Sequence, residues 1–250
     1  MFFNKRMRYG YDIFYDVLTA GRDAMKSSYI YLLFALAIVV GPSTLVQAQA
    51  TNPQERAGEL VQWREHCNDP DPDLRLAYIE NAISTNDVSI KRICVRLAAE
   101  SDNADIRNLG LRAAIASLNQ ITFSVEMPRL LQDALKKAGN REGLNDGRLN
   151  SIYDRYEIVK NGIPMVVVDA AVPSSTSIWY PLTDRDKKDD RFKGTATIRG
   201  DQILWVGSIA LGGGSSSEAT INVKLERGGE LKGFFQYHDS PLFPVSAKLW

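Results

Sequence analysis

Histidine and cysteine are nearly missing from this chain, two of each among 250 residues. That scarcity excludes metal centres built on clustered imidazoles or thiolates. No HExxH, paired CxxC or GxSxG pattern occurs, so the common zinc and serine-nucleophile signatures are missing too. Neither charge dominates: 30 Lys and Arg balance 30 Asp and Glu. A polyanion such as nucleic acid is therefore not the expected partner. No cofactor motif is found. The stretch "LGGGSSSE" lacks the lysine and following hydroxyl of a phosphate loop and is expected to be a flexible connection. In "TDRDKKDDR", Asp184, Asp186, Asp189 and Asp190 alternate with Arg185, Lys187, Lys188 and Arg191, which would repel a cation, so a solvated charged loop is expected. His238, Asp239 and Ser240 are triad residue types, but adjacency in sequence does not create triad geometry.

Long apolar runs are also scarce. The longest, Tyr29 to Val40, has about a dozen residues where a membrane span needs about 20. Lys26 precedes it, Gly41 and Pro42 end it, and Ala48-Gln49-Ala50 has the small-x-small pattern of a cleavage site. Residues 1–50 are thus expected to be a secretory signal region with cleavage near Ala50-Thr51, and residues 1–24 are either an N-terminal extension or lie before a true start at Met25. An uncleaved single N-terminal anchor is the alternative. Removing this region takes away five cations (Lys5, Arg6, Arg8, Arg22, Lys26) and three acids (Asp12, Asp16, Asp23), leaving a net charge of about −2. In an oxidising compartment Cys67 and Cys94 are expected to form a disulfide. It would close a loop of some 28 residues and stabilise by roughly 3 to 4 kcal/mol.

Residues 71–118 align on themselves with a period of sixteen: "DPDLRLAYIENAISTN", "DVSIKRICVRLAAESD" and "NADIRNLGLRAAIASL". Asp71, Asp87 and Asn103 open the three copies as helix N-caps. Apolar or small residues recur at i, i+3, i+4, i+7 and i+8, the stripe of an amphipathic helix. Alanines recur at 82, 98 and 114, where neighbouring helices could approach closely. Further helices are expected over Gln54–His66 and in "MPRLLQDALKKAG", between Pro128 and Gly139. The cap, Ile/Leu-Arg/Lys and small-apolar pattern resembles HEAT and armadillo-type helical repeats, although a helix pair here spans about 32 residues rather than about 40. That resemblance implies a protein-interaction surface; a small helical bundle with an internal repeat is the other arrangement the residues allow.

Beyond the turn cluster at 139–147 the periodicity becomes two. Hairpins are expected at Gly200-Asp201 and Gly228-Gly229, with strands in "IPMVVVDAAV", "SIWYPL" and "FPVSAKLW". Ile221, Val223 and Leu225 share one face with Leu231, Gly233, Phe235 and Tyr237 of the next strand. The fold class is therefore α+β: a helical domain over 51–140, a linker over 141–162, and an antiparallel β-sandwich or small β-barrel over 163–250. An outer-membrane barrel is not expected. Positions alternating back from Trp250 are Lys248, Ser246 and Pro244, and the strands counted fall short of about eight.

The expected function is an exported, non-enzymatic binding or assembly protein of the bacterial periplasm or cell envelope. A hydrolase of envelope glycans or peptides and a small-ligand carrier are the alternatives. Two contact surfaces are expected. Arg75, Lys91 and Arg107 recur at one repeat column and would form a basic ridge. Trp179, Tyr180 and Trp205 form an aromatic group that serves either a partner surface or the core.

Overall fold

The computed structural model describes residues 52–183, 188–211 and 216–250. Residues 1–51, on which the expected secretory signal falls, the loop residues 184–187 and the glycine-rich residues 212–215 lie outside them. Six helices and eight strands follow one another: α1 (Pro53–His66), α2 (Pro72–Ser84), α3 (Val88–Ala99), α4 (Ala104–Ala116), β1 (Gln120–Val125), α5 (Arg129–Ala138), α6 (Gly147–Val159), β2 (Ile163–Val168), β3 (Thr176–Pro181), β4 (Gly194–Arg199), β5 (Gln202–Ala210), β6 (Ser216–Glu226), β7 (Glu230–Tyr237) and β8 (Phe243–Lys248).

Each sixteen-residue unit is one helix, and the first residue of each unit caps it. Asp71 accepts from the amides of Asp73 and Leu74, Asp87 from those of Ser89 and Ile90, and Asn103 from those of Asp105 and Ile106, all at 2.9–3.2 Å. These amides have no partner inside their own helix, so the caps set the phase of all three helices. Ala82, Ala98 and Ala114 are buried. Gly110 does the same work more sharply: a Cβ there would lie 2.4 Å from the backbone nitrogen of Ala99. Only a residue without a side chain lets α4 press this closely on α3. Cys67, just past α1, is bonded to Cys94 on α3, with Cα atoms 5.3 Å apart. The staple matters because α1 buries no residue of its own.

The eight strands form a closed antiparallel barrel in sequence order. Inward positions are apolar: Ile203 and Trp205 on β5, Ile221, Val223 and Leu225 on β6, Leu231 and Phe235 on β7. Outward positions carry Lys224, Glu226 and Lys232. The outer wall is mixed, since Leu204, Val206 and Phe234 are exposed there beside these charges, while the interior is apolar. Among the described residues no helix is long and apolar enough to cross a membrane. Trp205 lies over a gap left by two paired glycines, Gly194 and Gly207, where any Cβ would come within 2.6 Å of its ring. The wall is uneven. β5 and β6 pair continuously from Gln202↔Lys224 to Ala210↔Ser216, whereas β1 and β8 meet only at Ser124↔Ser246 and Val125↔Val245. One further bond, from the Glu126 amide to the Pro244 carbonyl at 2.9 Å, completes that seam.

Two expectations are corrected here. Among the described residues the strands number eight, not fewer, because "QITFSV" within the expected helical domain is β1. The expected linker over 141–162 contains α6, capped by Asp146, which accepts from the amides of Arg148 and Leu149. The helices and the barrel also share apolar packing. One apolar cluster unites Val95, Leu111 and Ile115 of α3 and α4, Leu131 of α5 and Ile152 of α6 with the barrel interior. A second, smaller cluster around Cys67, Ile79, Cys94 and Ile106 holds the first helices together. Residues 50–250 form a single compact unit.

Candidate functional site

A groove of about 240 Å³ runs between α3, α4 and the residues after β8. The sequence of α3 makes one side of it. Val88, Lys91, Arg92, Val95 and Arg96 stand at i, i+3, i+4, i+7 and i+8, a stripe along the helix separate from Ile90, Cys94 and Ala98, which face the smaller core. Ala113, Ala114 and Ser117 of α4 line the second side, and Leu249 and Trp250 the third. The floor is apolar and closed: Val95, Ala113, Ala114 and Leu249 are all buried. The hydroxyl of Ser117 is engaged, donating to the Ala114 carbonyl at 2.6 Å. Val88 is 67% exposed at the mouth.

Trp250 has two close neighbours. Gly229, in the β6–β7 turn, lies so close that a Cβ would sit 2.2 Å from its ring. The guanidinium of Arg96 stands 5.7 Å from the ring centroid, a cation–π distance. No acidic residue lines the groove. Among the described residues Lys91, Arg92 and Arg96 have no carboxylate within 4 Å. An apolar floor under unpaired cations can do one thing well: take an apolar group that carries negative charge beside it.

The expected site residues are distributed differently from this arrangement. Of the basic ridge, Lys91 lines the groove, while Arg107 turns toward the barrel, with its Nε 3.9 Å from Asp201. Arg75 has no ion pair among the described residues, and its Nε is buried without a hydrogen-bond partner. The neighbours of Arg107 explain its direction. Asn108 donates to the Gly200 carbonyl at 3.2 Å and Arg112 to that of Pro173 at 3.4 Å, so this face of α4 rests on barrel loops. Trp179 and Trp205 are fully buried, which places them in the core, the second of the two roles weighed for them. Trp179 donates to the Ser177 hydroxyl at 2.8 Å and stacks with Phe123. Tyr180 alone of the three is half-exposed, donating to Asp190 at 3.1 Å.

That contact shifts two groups. Lys193, 2.9 Å away, and then Tyr180 hold the Asp190 carboxyl below its ordinary value, and Asp190 in turn raises the Tyr180 phenol. With Asp189 paired to Arg191 at 2.7 Å, the described part of the charged loop neutralises itself. The Ser240 hydroxyl accepts from the Tyr237 amide at 3.2 Å, and the Ser240 amide donates to the Tyr237 carbonyl at 3.0 Å. Ser240 therefore closes the turn after β7. Among the described residues no group of three or more His, Cys, Asp or Glu side chains could hold a metal ion.

Arg92, Arg96 and Trp250 were missed by sequence reasoning. The 88-91-92-95-96 stripe is visible in the sequence, but it is mostly charged, whereas the apolar stripe of α3 at 90, 94, 97 and 98 lies on the other side of the helix. The wall supplied by Leu249 and Trp250 is more than 130 residues away in the chain from α4. No family model matches this chain, and comparison with the curated proteins and the solved structures finds no match either. Function is therefore argued from the site alone.

Proposed function

We propose that the protein is an exported, non-enzymatic binding or assembly protein of the bacterial periplasm or cell envelope, acting through protein–protein contacts at the α3–α4 groove. The groove carries this reading: an apolar floor, three cations without carboxylates and a tryptophan beside Arg96. Tryptophan and arginine are the side chains on which contact energy concentrates at protein interfaces. The resemblance of the helical units to interaction repeats supports it, and the disulfide suits an oxidising compartment. Export rests on the sequence of residues 1–50.

A carrier function has less support. Phe123, Ile163, Met165, Trp179, Ile203, Trp205, Ile221, Leu231, Phe235 and Phe243 all have zero accessible surface. No water-sized space borders any of these ten side chains, and they fill the barrel interior that a carrier would need open.

Site-specific photo-cross-linking in the native envelope tests the proposal. A photoreactive residue replacing Val88 should give discrete partner adducts, and one replacing Lys224 on the outer barrel wall should not. Equal adducts from both positions, or none from Val88, would remove the groove from consideration.

A further inference from the structure

We infer that the groove receives an acidic stretch of a partner protein, with one bulky apolar side chain seated between Val95 and Trp250 and carboxylates beside it held by Lys91, Arg92 and Arg96. The inference rests on the reading above and names the chemistry of the partner.

Charge comes first. In a chain with equal numbers of acids and bases, three cations and no acidic side chain line this groove. Some cations elsewhere pair with acids, as Arg56 does with Asp87 and Glu59 and as Arg107 and Lys224 do with Asp201. Others among the described residues, such as Arg75, do not. The groove differs in gathering three cations around one apolar floor. Carboxylates supplied by a partner would pair with them. Arginine also suits them chemically, because its planar fork matches a carboxylate with two parallel bonds.

Size narrows the occupant further. At about 240 Å³ the groove lies below the roughly 300–1,000 Å³ of sites that enclose whole small molecules. It suits one large side chain of a longer segment. The chain's own segments fit poorly. Residues 1–50 carry five cations against three acids and would be repelled. In the acidic connection after α1, Asp69 already accepts from the Asp71 amide, and Asp71 caps α2. In a second copy the Oδ1 atoms of these two carboxylates are therefore already engaged by backbone amides.

The test uses the exported chain and short fluorescein-labelled peptides followed by fluorescence anisotropy. One peptide alternates Glu and Asp around a single Phe, a second has that Phe replaced by Ala, and a third replaces the acids with Lys. The acidic Phe peptide should bind, and the other two should bind at least about tenfold more weakly. The double variant R92E/R96E should weaken the acidic peptide by about tenfold or more and lower the melting temperature by no more than about 4 °C, since both side chains are exposed and only the Arg96–Trp250 contact is lost. Should R92E/R96E fail to fold, R92Q/R96Q tests the same contacts. Raising salt from about 0.1 M to about 1 M shortens the screening length from roughly 10 Å to 3 Å and should weaken binding in parallel.

Equal binding of the Lys peptide, or acidic binding untouched in R92E/R96E, overturns the inference. So does binding of phosphatidylglycerol vesicles in place of the peptide, which would make the occupant a lipid surface. Self-association abolished by R92E/R96E would make it a second copy and overturn the inference as well. If no acidic peptide binds while Val88 still cross-links to a partner, the groove stands and only the chemistry of its occupant falls. If both fail, both proposals fall.

Discussion

Gly110 shows how one residue decides a packing distance. In an isolated helix, replacing glycine with alanine stabilises by up to about 1 kcal/mol. At position 110 the added Cβ would sit 2.4 Å from the Ala99 nitrogen and 2.7 Å from the Ala98 Cβ, contacts that backbone cannot relieve by rotating. Overpacking of this kind costs about 1–3 kcal/mol, so G110A should lower stability in urea unfolding despite its better helix propensity. A G110A protein as stable as the parent would mean that α3 and α4 can part at no cost. Asp87 gives a second residue-scale test. Its carboxyl lies below the ordinary aspartate value of 3.8, chiefly because the Ile90 amide donates to it, with the Arg56 guanidinium and the Ser89 amide also contributing. A carboxyl depressed in the folded state stabilises above its unfolded value and loses that contribution as pH falls through the folded one. Asparagine can still cap α3, so D87N removes mainly the charge and the Arg56 pairing. The melting temperatures of parent and D87N should differ by a constant amount above about pH 5 and converge below about pH 4. A difference that persists to pH 2 would show that the charge is not its source. The caps at Asp71, Asp87 and Asn103 were legible because capping is local. The direction of Arg107 was not, since Asp201 comes from a turn far along the chain.

Among the elements, α1 depends most on a single bond. It buries no residue, and besides the disulfide it is held by the half-buried Leu60 and Trp63 and by the pairing of Arg56 with Asp87. Replacing both cysteines by alanine should cost about 3–4 kcal/mol, the loop-entropy value for this chain separation. Hydrogen exchange should then show α1 losing protection while the β5–β6 amides keep theirs. Uniform loss across both elements would mean that the staple supports the whole fold and not one helix. The helices that repeat and the hairpins at Gly200 and Gly228 could be read from sequence, since their signals lie within a few residues of one another. β1 and α6 could not. β1 has the alternation Ile121, Phe123, Val125, but its partners β2 and β8 are distant and no hairpin turn announces it. The apolar stripe of α6, Leu149, Ile152, Tyr156 and Val159, follows a run of glycine and asparagine that looks like a linker.

For the whole molecule, the shared core decides how it unfolds. Val95, Leu111 and Ile115 pack in the same cluster as Trp179 and Trp205, so the upper helices cannot leave without exposing the barrel. Far-UV circular dichroism, which reports mostly helix, and the fluorescence of the two buried tryptophans should therefore share one thermal midpoint. Separate midpoints would show two independent domains. The groove was illegible for the related reason that its walls are assembled by this packing and by the return of the chain past β8. That return has a kinetic consequence. Ser124 and Ser246, which meet at the thin seam, are 122 residues apart, whereas the β4–β5 and β6–β7 hairpins close over turns of a few residues. Bringing the seam together costs about 3 kcal/mol more chain entropy than closing such a turn, and only two residue pairs reward it. The seam is thus the last part of the wall to form. Until it does, β1 and β8 each present an open edge of matching register, and the β8 of a neighbouring chain fits β1 as well as the chain's own. Crowded refolding favours exchange of that strand between molecules, and dilution favours the closed monomer.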